Sequence, residues 1–323
     1  MSLDSKTRRD LQLKPYRRTD RIFFGVATAA AYSAIVIILL VLVFLLQRAL
    51  PAFQEQGVAN FVFGAGWNSS TEPPLFTIGP MLYGTLLIAA LATALAVPMA
   101  ISLAYFIVFI APASIARGAV ILVDFLAAIP SVVIGLWGVI VFGPVAVQWA
   151  EHLNNALGWL PPFAHDSGTF INSPFIAAIV LSIMIVPIIA SVTREIFSQM
   201  DQEVIKASLA LGGNAESTLR RVILPTSASG IVGGTLLALG RAMGETVAIY
   251  FVLNLVYDRV NWFTILEPEG GNVASLILSK FGESGERELA ALMAAGVVLF
   301  IVTLIVNALA SYIVAKAQPW RNA

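Results

Sequence analysis

Six long runs with almost no charged side chains decide what this chain can fold into. Every run is longer than the roughly 20 apolar residues that a helix needs to cross a bilayer. Charged residues make up 12% of the chain, about half the share found in soluble domains. We therefore expect an integral membrane protein whose spans cover residues 22–46, 79–111, 118–148, 171–193, 229–257 and 289–315.

The length of these runs favours helices over a transmembrane barrel. A barrel strand crosses the bilayer in about ten residues, and its side chains alternate between apolar and polar. A helix also satisfies its own backbone hydrogen bonds in lipid. The expected fold class is therefore all-α, a polytopic membrane protein with six transmembrane helices.

Lysine and arginine are unevenly distributed between alternate loops, and this sets the orientation. Seven precede the first span and seven more fall in loops on the same side, against four on the opposite side. The positive-inside rule places the richer side in the cytoplasm, and both termini with it. We expect residues 1–21 to be a basic cytoplasmic segment in contact with membrane lipid, and residues 22–323 to be the transmembrane domain.

Several signatures of catalysis and cofactor binding are absent from the sequence. It has no cysteine and only two histidines, which leaves no thiolate metal site. It also has no G-x-x-x-x-G-K-[ST] loop, so ATP is not bound through that motif. We expect neither an enzyme nor a metal site, and no nucleic-acid partner.

One charged pair interrupts the fifth run, in the stretch GRAMGETVAIY. Arg241 and Glu245 are four residues apart, and a continuous helix would place them on one face. Arginine at mid-bilayer costs about 2.5–3.5 kcal/mol, whereas such a pair returns only about 0.2–0.5 kcal/mol. The pair must therefore face a wet cavity or be completed by other helices. Arginine suits the binding of an oxyanion, and a polar clamp between helices is the alternative.

Asp124 is a further acid within a span, near the cytoplasmic end of the third. At that depth it could face water or cap a partner. It could also pair with Arg241 or with an arginine of another subunit.

Prolines and glycines mark where the spans bend or pack closely. Pro98, Pro130 and Pro187 interrupt three spans, either as kinks held by neighbouring helices or as breaks that line a pathway. The fifth span carries glycines at four-residue steps, a pattern of close helix packing. The packing partner is either another subunit or a helix of the same chain. These glycines are Gly230, Gly234, Gly240 and Gly244.

Two long loops on the outer side, about residues 149–170 and 258–288, carry the apolar patches ALGWLPPF and VASLILSKF. Each patch is too short to cross a bilayer. We expect both to be interfacial or re-entrant.

The segment at about residues 195–228 is the longest on the cytoplasmic side. Its sequence DQEVIKASLALGGNAESTLRRVILPTSASG predicts a helix, a tight turn at Gly212 and a second helix that ends or kinks at Pro225. A bent helix pair that extends into the cytoplasm is suited to fit the groove of a partner.

This segment resembles the coupling loop of ATP-binding-cassette importer permeases, whose pattern reads E-A-A-x3-G-x9-I-x-L-P. Lys206 replaces the glutamate of that pattern, and Val222 replaces the isoleucine. Glu203, one helical turn earlier, is a candidate substitute for the polar contact of that glutamate with the ATPase. The residues that carry the resemblance are Ala207, Ser208, Gly212, Leu224 and Pro225.

Two further stretches narrow the resemblance. FLAAIPSVVIGLWG in the third span and GIVGGTLLALGRAMGETVAIY in the fifth are similar to the C-type membrane subunit of phosphate-specific (Pst) importers. The resemblance covers about residues 17–315 and implies the type I permease architecture, with transport of inorganic phosphate into the cytoplasm. Sulfate or molybdate is the alternative solute. It also implies that Arg241 and Glu245 act in phosphate passage, and Asp124 is our third candidate on the substrate pathway.

The same resemblance implies an assembly in a prokaryotic plasma membrane. Such permeases pair with a second homologous permease subunit, two ATPases that bind ATP and magnesium, and an extracytoplasmic phosphate-binding protein. No cofactor is then expected in this chain. A self-contained ion-coupled transporter is disfavoured because the sequence shows no internal repeat.

Overall fold

The computed structural model describes residues 18–166, 168–260, 262–268 and 270–317. Most of the basic N-terminal segment therefore lies outside the described residues. The chain divides into two compact units, one up to Arg48 and one from Ala49 onward. The first helix, α1 (Arg18–Gln56), begins in the first unit and contains the whole of the first predicted span.

The second unit begins with short elements that lead into a long helix. They are α2 (Val58–Phe63), the antiparallel strands β1 (Trp67–Asn68) and β2 (Leu75–Phe76), and α3 (Gly79–Tyr105). The helices that follow are α4 (Ala113–Ala128), α5 (Ser131–Trp137), α6 (Gly143–Leu157), α7 (Pro174–Ser198), α8 (Gln202–Ala210), α9 (Ala215–Thr218), α10 (Leu224–Gly244), α11 (Val247–Val252), α12 (Val273–Phe281) and α13 (Glu286–Ala317).

Three π-helical turns extend or join these helices. Phe106–Ile110 continues α3, Gly138–Phe142 joins α5 to α6, and Leu219–Ile223 joins α9 to α10. A π turn widens a helix locally without ending it. The chain is therefore helical without interruption across each of these joints.

Six helical stretches in the described part of the chain are long and apolar enough to cross a membrane. This number confirms the prediction from the sequence, and the stretches overlap all six predicted spans. They are Asp20–Gln56, Gly79–Ile110, Ser131–Leu157, Pro174–Ser198, Ala215–Gly244 and Glu286–Ile313.

The third predicted span is not one helix, because the chain breaks after Ala128. Ile129 and Pro130 are both extended, with ψ of 129° and 137°. A proline disfavours the helical conformation of the residue before it, which accounts for the break. Pro98 and Pro187 lie inside the continuous helices α3 and α7. Of these three prolines, Pro130 is therefore the one that interrupts a helix.

The core is built around α7, which packs against α3, α4 and α10. Small residues let the backbones of these helices approach closely. On α3 they form an alanine stripe at four-residue steps, and all four members are fully buried. The stripe consists of Ala92, Ala96, Ala100 and Ala104.

The glycines of α10 show where that helix packs. A side chain at Gly230 would meet Ile196, and one at Gly234 would meet Val192, both on α7 of the same chain. The intrachain alternative is therefore confirmed for this pair. Gly244 has open space around it, so the four glycines do not all pack against α7.

The outer loop before α13 folds back into the protein. Its helix α12 has nine residues, too few to span, and the residues of its first turn are buried. It packs against α3, α11 and α13. The expectation that this patch does not cross the bilayer is confirmed, and its N-terminal end is placed among the transmembrane helices.

Candidate functional site

The helix that carries Arg241 ends three residues later, at Gly244. Glu245 has an extended backbone (φ −66°, ψ 127°), and α11 begins at Val247. The fifth predicted span, residues 229–257, is therefore broken. The expected pairing of Arg241 with Glu245 on one continuous helix is wrong, because Glu245 has left the helix.

The two charged side chains lie in different surroundings. Arg241 is exposed, whereas Glu245 is 8% exposed. Both belong to the described part of the chain, and no salt bridge joins them there. The guanidinium lies in the last turn of α10, where the helix dipole favours a cation.

Side chains of α12 stabilise the break after α10. The Nδ2 of Asn272 donates a 2.7 Å hydrogen bond to the backbone oxygen of Glu245, and the Ser275 hydroxyl donates to the oxygen of Thr246 at 3.1 Å. Asn272 and Ser275 are 2% and 0% exposed. Backbone carbonyls freed at a helix break must be satisfied when no water reaches them. The break is therefore stabilised by specific side-chain hydrogen bonds.

The N-terminal end of α12 rests directly on α3. Thr85 accepts a 3.1 Å hydrogen bond from the backbone N–H of Val273. Gly271 has φ +138°, and its carbonyl oxygen lies 2.0 Å from where a Cβ on Gly84 would be. Two glycine backbones thus approach as closely as glycine allows. This contact fixes the position of Asn272 along α3, and therefore where Asn272 contacts the break.

Arg241 lies on an open face of α10. Gly233, Leu237, Arg241 and Gly244 recur at three- or four-residue steps and are all exposed. Arg241 is the one charged residue among these four. A guanidinium offers five donors in a planar fork and binds oxyanions through two hydrogen bonds at once. This face of the helix can therefore bind an anion.

Asp124 lies on α4 and is exposed, while its neighbour Val123 is buried in the core. Within the described ranges it forms no salt bridge with Arg241. The structure therefore does not join it to the charged pair of the fifth span.

The predicted cytoplasmic helix pair is present, and local capping accounts for its shape. The Asp201 side chain caps α8 by accepting from the N–H of Glu203 at 2.9 Å. Gly212 forms the turn with φ +86°, a conformation that favours glycine. Asn214 and Ser217 then form a reciprocal capping box that starts α9.

Of the two predicted effects of Pro225, an end or a kink of the second helix, the end is wrong, because the helix continues past the proline. Pro225 is the second residue of α10 and follows directly after the π turn Leu219–Ile223. The turn Leu219–Ile223 connects α9 to α10, so the helical run Ala215–Gly244 is continuous. Leu224 is half-buried against the cluster that contains Phe197 and Ile223.

One face of α8 is apolar and exposed. Val204 is 47% exposed and Leu211, just after the helix, 90%. Ala207 lies between them on the same face, and all three line a groove of about 640 Å³ that continues to Ser217 and Arg221. Glu203 and Lys206 are exposed on the same short helix. We call the exposed side chains of Val204, Ala207 and Leu211 the apolar knob; exposed apolar residues grouped in this way are typical of a docking element.

Ser208 lies inside the loop rather than on its surface. Its hydroxyl is 3.0 Å from the hydroxyl of Thr218, which is 3% exposed. This contact ties α8 to the start of the continuous run Ala215–Gly244. This hydrogen bond links the two helices of the loop.

Sequence reasoning missed Asn272, Ser275 and Thr85. Asn272 with Ser275 three residues later matches a helix start, which the structure confirms for α12. Nothing in the spacing indicates that the same asparagine also contacts the fifth span.

Comparisons with known proteins agree over most of the chain. A family model described as "Binding-protein-dependent transport system inner membrane component" matches residues 96–318. The "Phosphate transport system permease protein PstC 2" of Mycobacterium tuberculosis is 38% identical over 304 residues, which cover 93% of each chain. The "Phosphate transport system permease protein PstC" of Haemophilus influenzae is 35% identical over 299 residues, 90% of this chain and 92% of that one.

Solved structures with the same fold are more distant in sequence. A bacterial alginate ABC transporter, solved with an alginate-bound periplasmic protein, has a chain with TM-score 0.60 and 16% identity, covering 93% of this chain and 98% of that one. The MetNI methionine ABC transporter in an inward-facing conformation gives TM-score 0.51 and 17% identity, covering 74% and 93%. These likenesses confirm the expected all-α fold of ABC importer permeases.

Proposed function

Because the chain belongs to the family of binding-protein-dependent transport system inner membrane components, we propose that it is the membrane permease subunit of an importer for inorganic phosphate. Relatives that are 30–38% identical carry the name of a phosphate transport permease over nine-tenths or more of this chain. This shared name favours phosphate over sulfate or molybdate. The chain is a transport subunit, and ATP hydrolysis is assigned to its partners.

The observation that carries the proposal is the exposed guanidinium of Arg241 on a membrane helix, which forms no salt bridge within the described residues. Hydrogen bonds to a charged group are worth about 1.5–3 kcal/mol each, so this guanidinium would favour an anion over a neutral solute at this face of the helix. A phosphate also carries charge that one arginine does not balance. The site is therefore shared with a second, homologous permease subunit, whose surface closes the open face of α10.

Glu245 and Asp124 act through their charge rather than by direct pairing with Arg241. The carboxyl of Glu245 lies just past the helix end, where a negative charge would weaken anion binding and promote release. Asp124 is exposed on α4, which precedes the third membrane-crossing stretch Ser131–Leu157, and would meet either water or the second subunit.

The cytoplasmic helix pair is the surface that docks onto the ATPase. The apolar knob of Val204, Ala207 and Leu211 would enter a groove of that partner, flanked by Glu203 and Lys206. Two such ATPases bind ATP and magnesium, and an extracytoplasmic binding protein delivers phosphate on the other side. The positive-inside rule supports cytoplasmic termini for this arrangement in a prokaryotic plasma membrane.

The test is uptake of labelled phosphate by cells that express the whole assembly, with wild type compared to Arg241→Gln. We expect uptake to fall by about tenfold or more, the loss that corresponds to one charged hydrogen bond, while pull-down shows an intact complex. Arg287→Gln is the matched control, since Arg287 is exposed and pairs with Glu55 in an outer segment; it should transport normally.

Excess sulfate and molybdate are included as competitors in the same assay. Uptake that resists both identifies phosphate as the solute. Normal transport by Arg241→Gln would show that this arginine is a structural clamp, and a wild type that moves no phosphate would refute the assigned solute.

A further inference from the structure

The break between α10 and α11 separates the two charged residues of the proposed pathway, and Asn272 contacts that break. We propose that Asn272 is a positioning residue, which holds Glu245 out of the helix and so keeps Arg241 available to the anion. The inference rests on the proposed function, since it assigns a role within the same site.

The hydrogen bond from Asn272 replaces one that a continuous helix would make. In an α-helix the carbonyl of residue 245 accepts from the N–H of residue 249. Here the Nδ2 of Asn272 donates to that oxygen at 2.7 Å. The N–H of Glu245 meanwhile makes only a long 3.4 Å contact with the oxygen of Ala242. The asparagine thus competes directly with continuation of the helix.

The amide of Asn272 has a single usable orientation. Its Oδ1 accepts from the N–H of Ser275 at 2.7 Å, as the N-cap of α12. An oxygen is the atom that can accept from an N–H, so the NH₂ group must face the carbonyl of Glu245. The side chain is 2% exposed, which leaves it no access to bulk water.

Separation of the two charges follows from the break. In a continuous helix, residues 241 and 245 would be neighbours on one face and would pair. In the structure no salt bridge forms between them within the described residues. Asn272 therefore prevents Glu245 from forming a salt bridge with Arg241, and the guanidinium stays available to bind the anion.

Two substitutions separate this role from the capping of α12. Asn272→Asp keeps an oxygen that caps the helix but presents no amide donor to Glu245, whereas Asn272→Ala loses both groups. Asn155→Ala is the matched control, because Asn155 is an exposed asparagine on α6.

Phosphate transport and ATP hydrolysis are measured on the complete assembly in lipid, with the phosphate-loaded binding protein. We expect both Asn272 variants to lower the phosphate moved per ATP hydrolysed by about tenfold, the ratio that corresponds to one hydrogen bond. The control should match wild type. If Asn272→Asp transports phosphate as well as wild type does, Asn272 acts only as the cap of α12 and the proposal fails. The proposal also fails if phosphate transport and ATP hydrolysis fall by the same factor, because the phosphate moved per ATP is then unchanged.

A second measurement does not depend on the transported solute. The chain has no cysteine, so spin labels can be placed at Leu237→Cys on α10 and Tyr250→Cys on α11, both exposed positions. With Asn272→Ala we expect the label distance to move toward the roughly 20 Å of a continuous helix. An unchanged distance refutes the role of Asn272 even if wild type carries phosphate. A changed distance supports it even if the solute proves to be another anion.

Discussion

Gly84→Ala should loosen the contact that sets the position of the break. A Cβ at this position would lie 2.0 Å from the carbonyl oxygen of Gly271, and the next nearest atoms also belong to the backbone of Gly271. Favourable contacts between nonbonded heavy atoms lie at roughly 3.5 Å. The start of α12 must therefore shift by about 1 Å or more, since no flexible side chain is available to move aside.

The expected cost follows from three contributions. Overpacking of this kind costs about 1–3 kcal/mol. A shift of that size also stretches the 2.7 Å hydrogen bond from Asn272, and an orphaned buried acceptor costs about 1–3 kcal/mol. Alanine returns about 1 kcal/mol through its higher helix propensity. The net loss is about 3 kcal/mol. With an unfolding entropy of about 2.1 cal/mol/K per residue, it lowers the unfolding midpoint of a chain of 323 residues by roughly 4 °C.

The assay is the temperature at which the purified protein in detergent loses its monodisperse peak on size-exclusion chromatography. Gly118→Ala is the control, because Gly118 lies on a helix, α4, with no atom within 4 Å of the added methyl group. The control should keep or slightly raise the midpoint. A Gly84→Ala protein that is as stable as wild type would show that the close approach of the two glycines does not constrain the fold.

Two predictions concern the cytoplasmic loop. Leu211→Asp places a charge on a side chain that is 90% exposed, so folding should be unaffected while phosphate-stimulated ATP hydrolysis and ATPase pull-down fall by about tenfold; normal pull-down would contradict the docking surface. Gly212→Val forces a β-branched residue to φ +86° and should weaken the same pull-down more than Gly212→Asn, since asparagine tolerates this conformation. Equal effects of the two substitutions would count against the turn.

Much of the architecture could be predicted because it depends on local sequence. The lengths of the apolar runs are properties of each segment, and the six candidate spans follow from them. The bend at Gly212 and the caps at Asp201 and Asn214 are also local, since each is decided by one residue and its immediate neighbours.

The break after Gly244 could not be predicted, because its cause lies elsewhere in the chain. The residues that follow, VAIYFV, continue the apolar run and form α11. What ends α10 is the pair of donors from Asn272 and Ser275, which lie on a different helix. Hydrophobic periodicity carries no information about such a contact.

The three prolines illustrate the same limit. Each removes one backbone donor from a helix, yet the outcome differs between them. The helices of Pro98 and Pro187 pack against each other, and both continue past the proline. Pro130 stands between α4 and α5, and there the chain turns extended.

The uninterrupted helical run Ala215–Gly244 connects the proposed ATPase-docking loop to Arg241. At 1.5 Å per residue, Ala215 and Arg241 are roughly 39 Å apart along the axis. A rotation of about 5° about the cytoplasmic end would therefore carry the backbone at Arg241 by roughly 3 Å, about the length of a hydrogen bond. If the ATPase docks on α8 as proposed, a rotation of this size would be enough to separate the guanidinium from the proposed anion. The helical run ends at Gly244, before Glu245. A rotation of this run would therefore not require α11 and the outer loops to move with it.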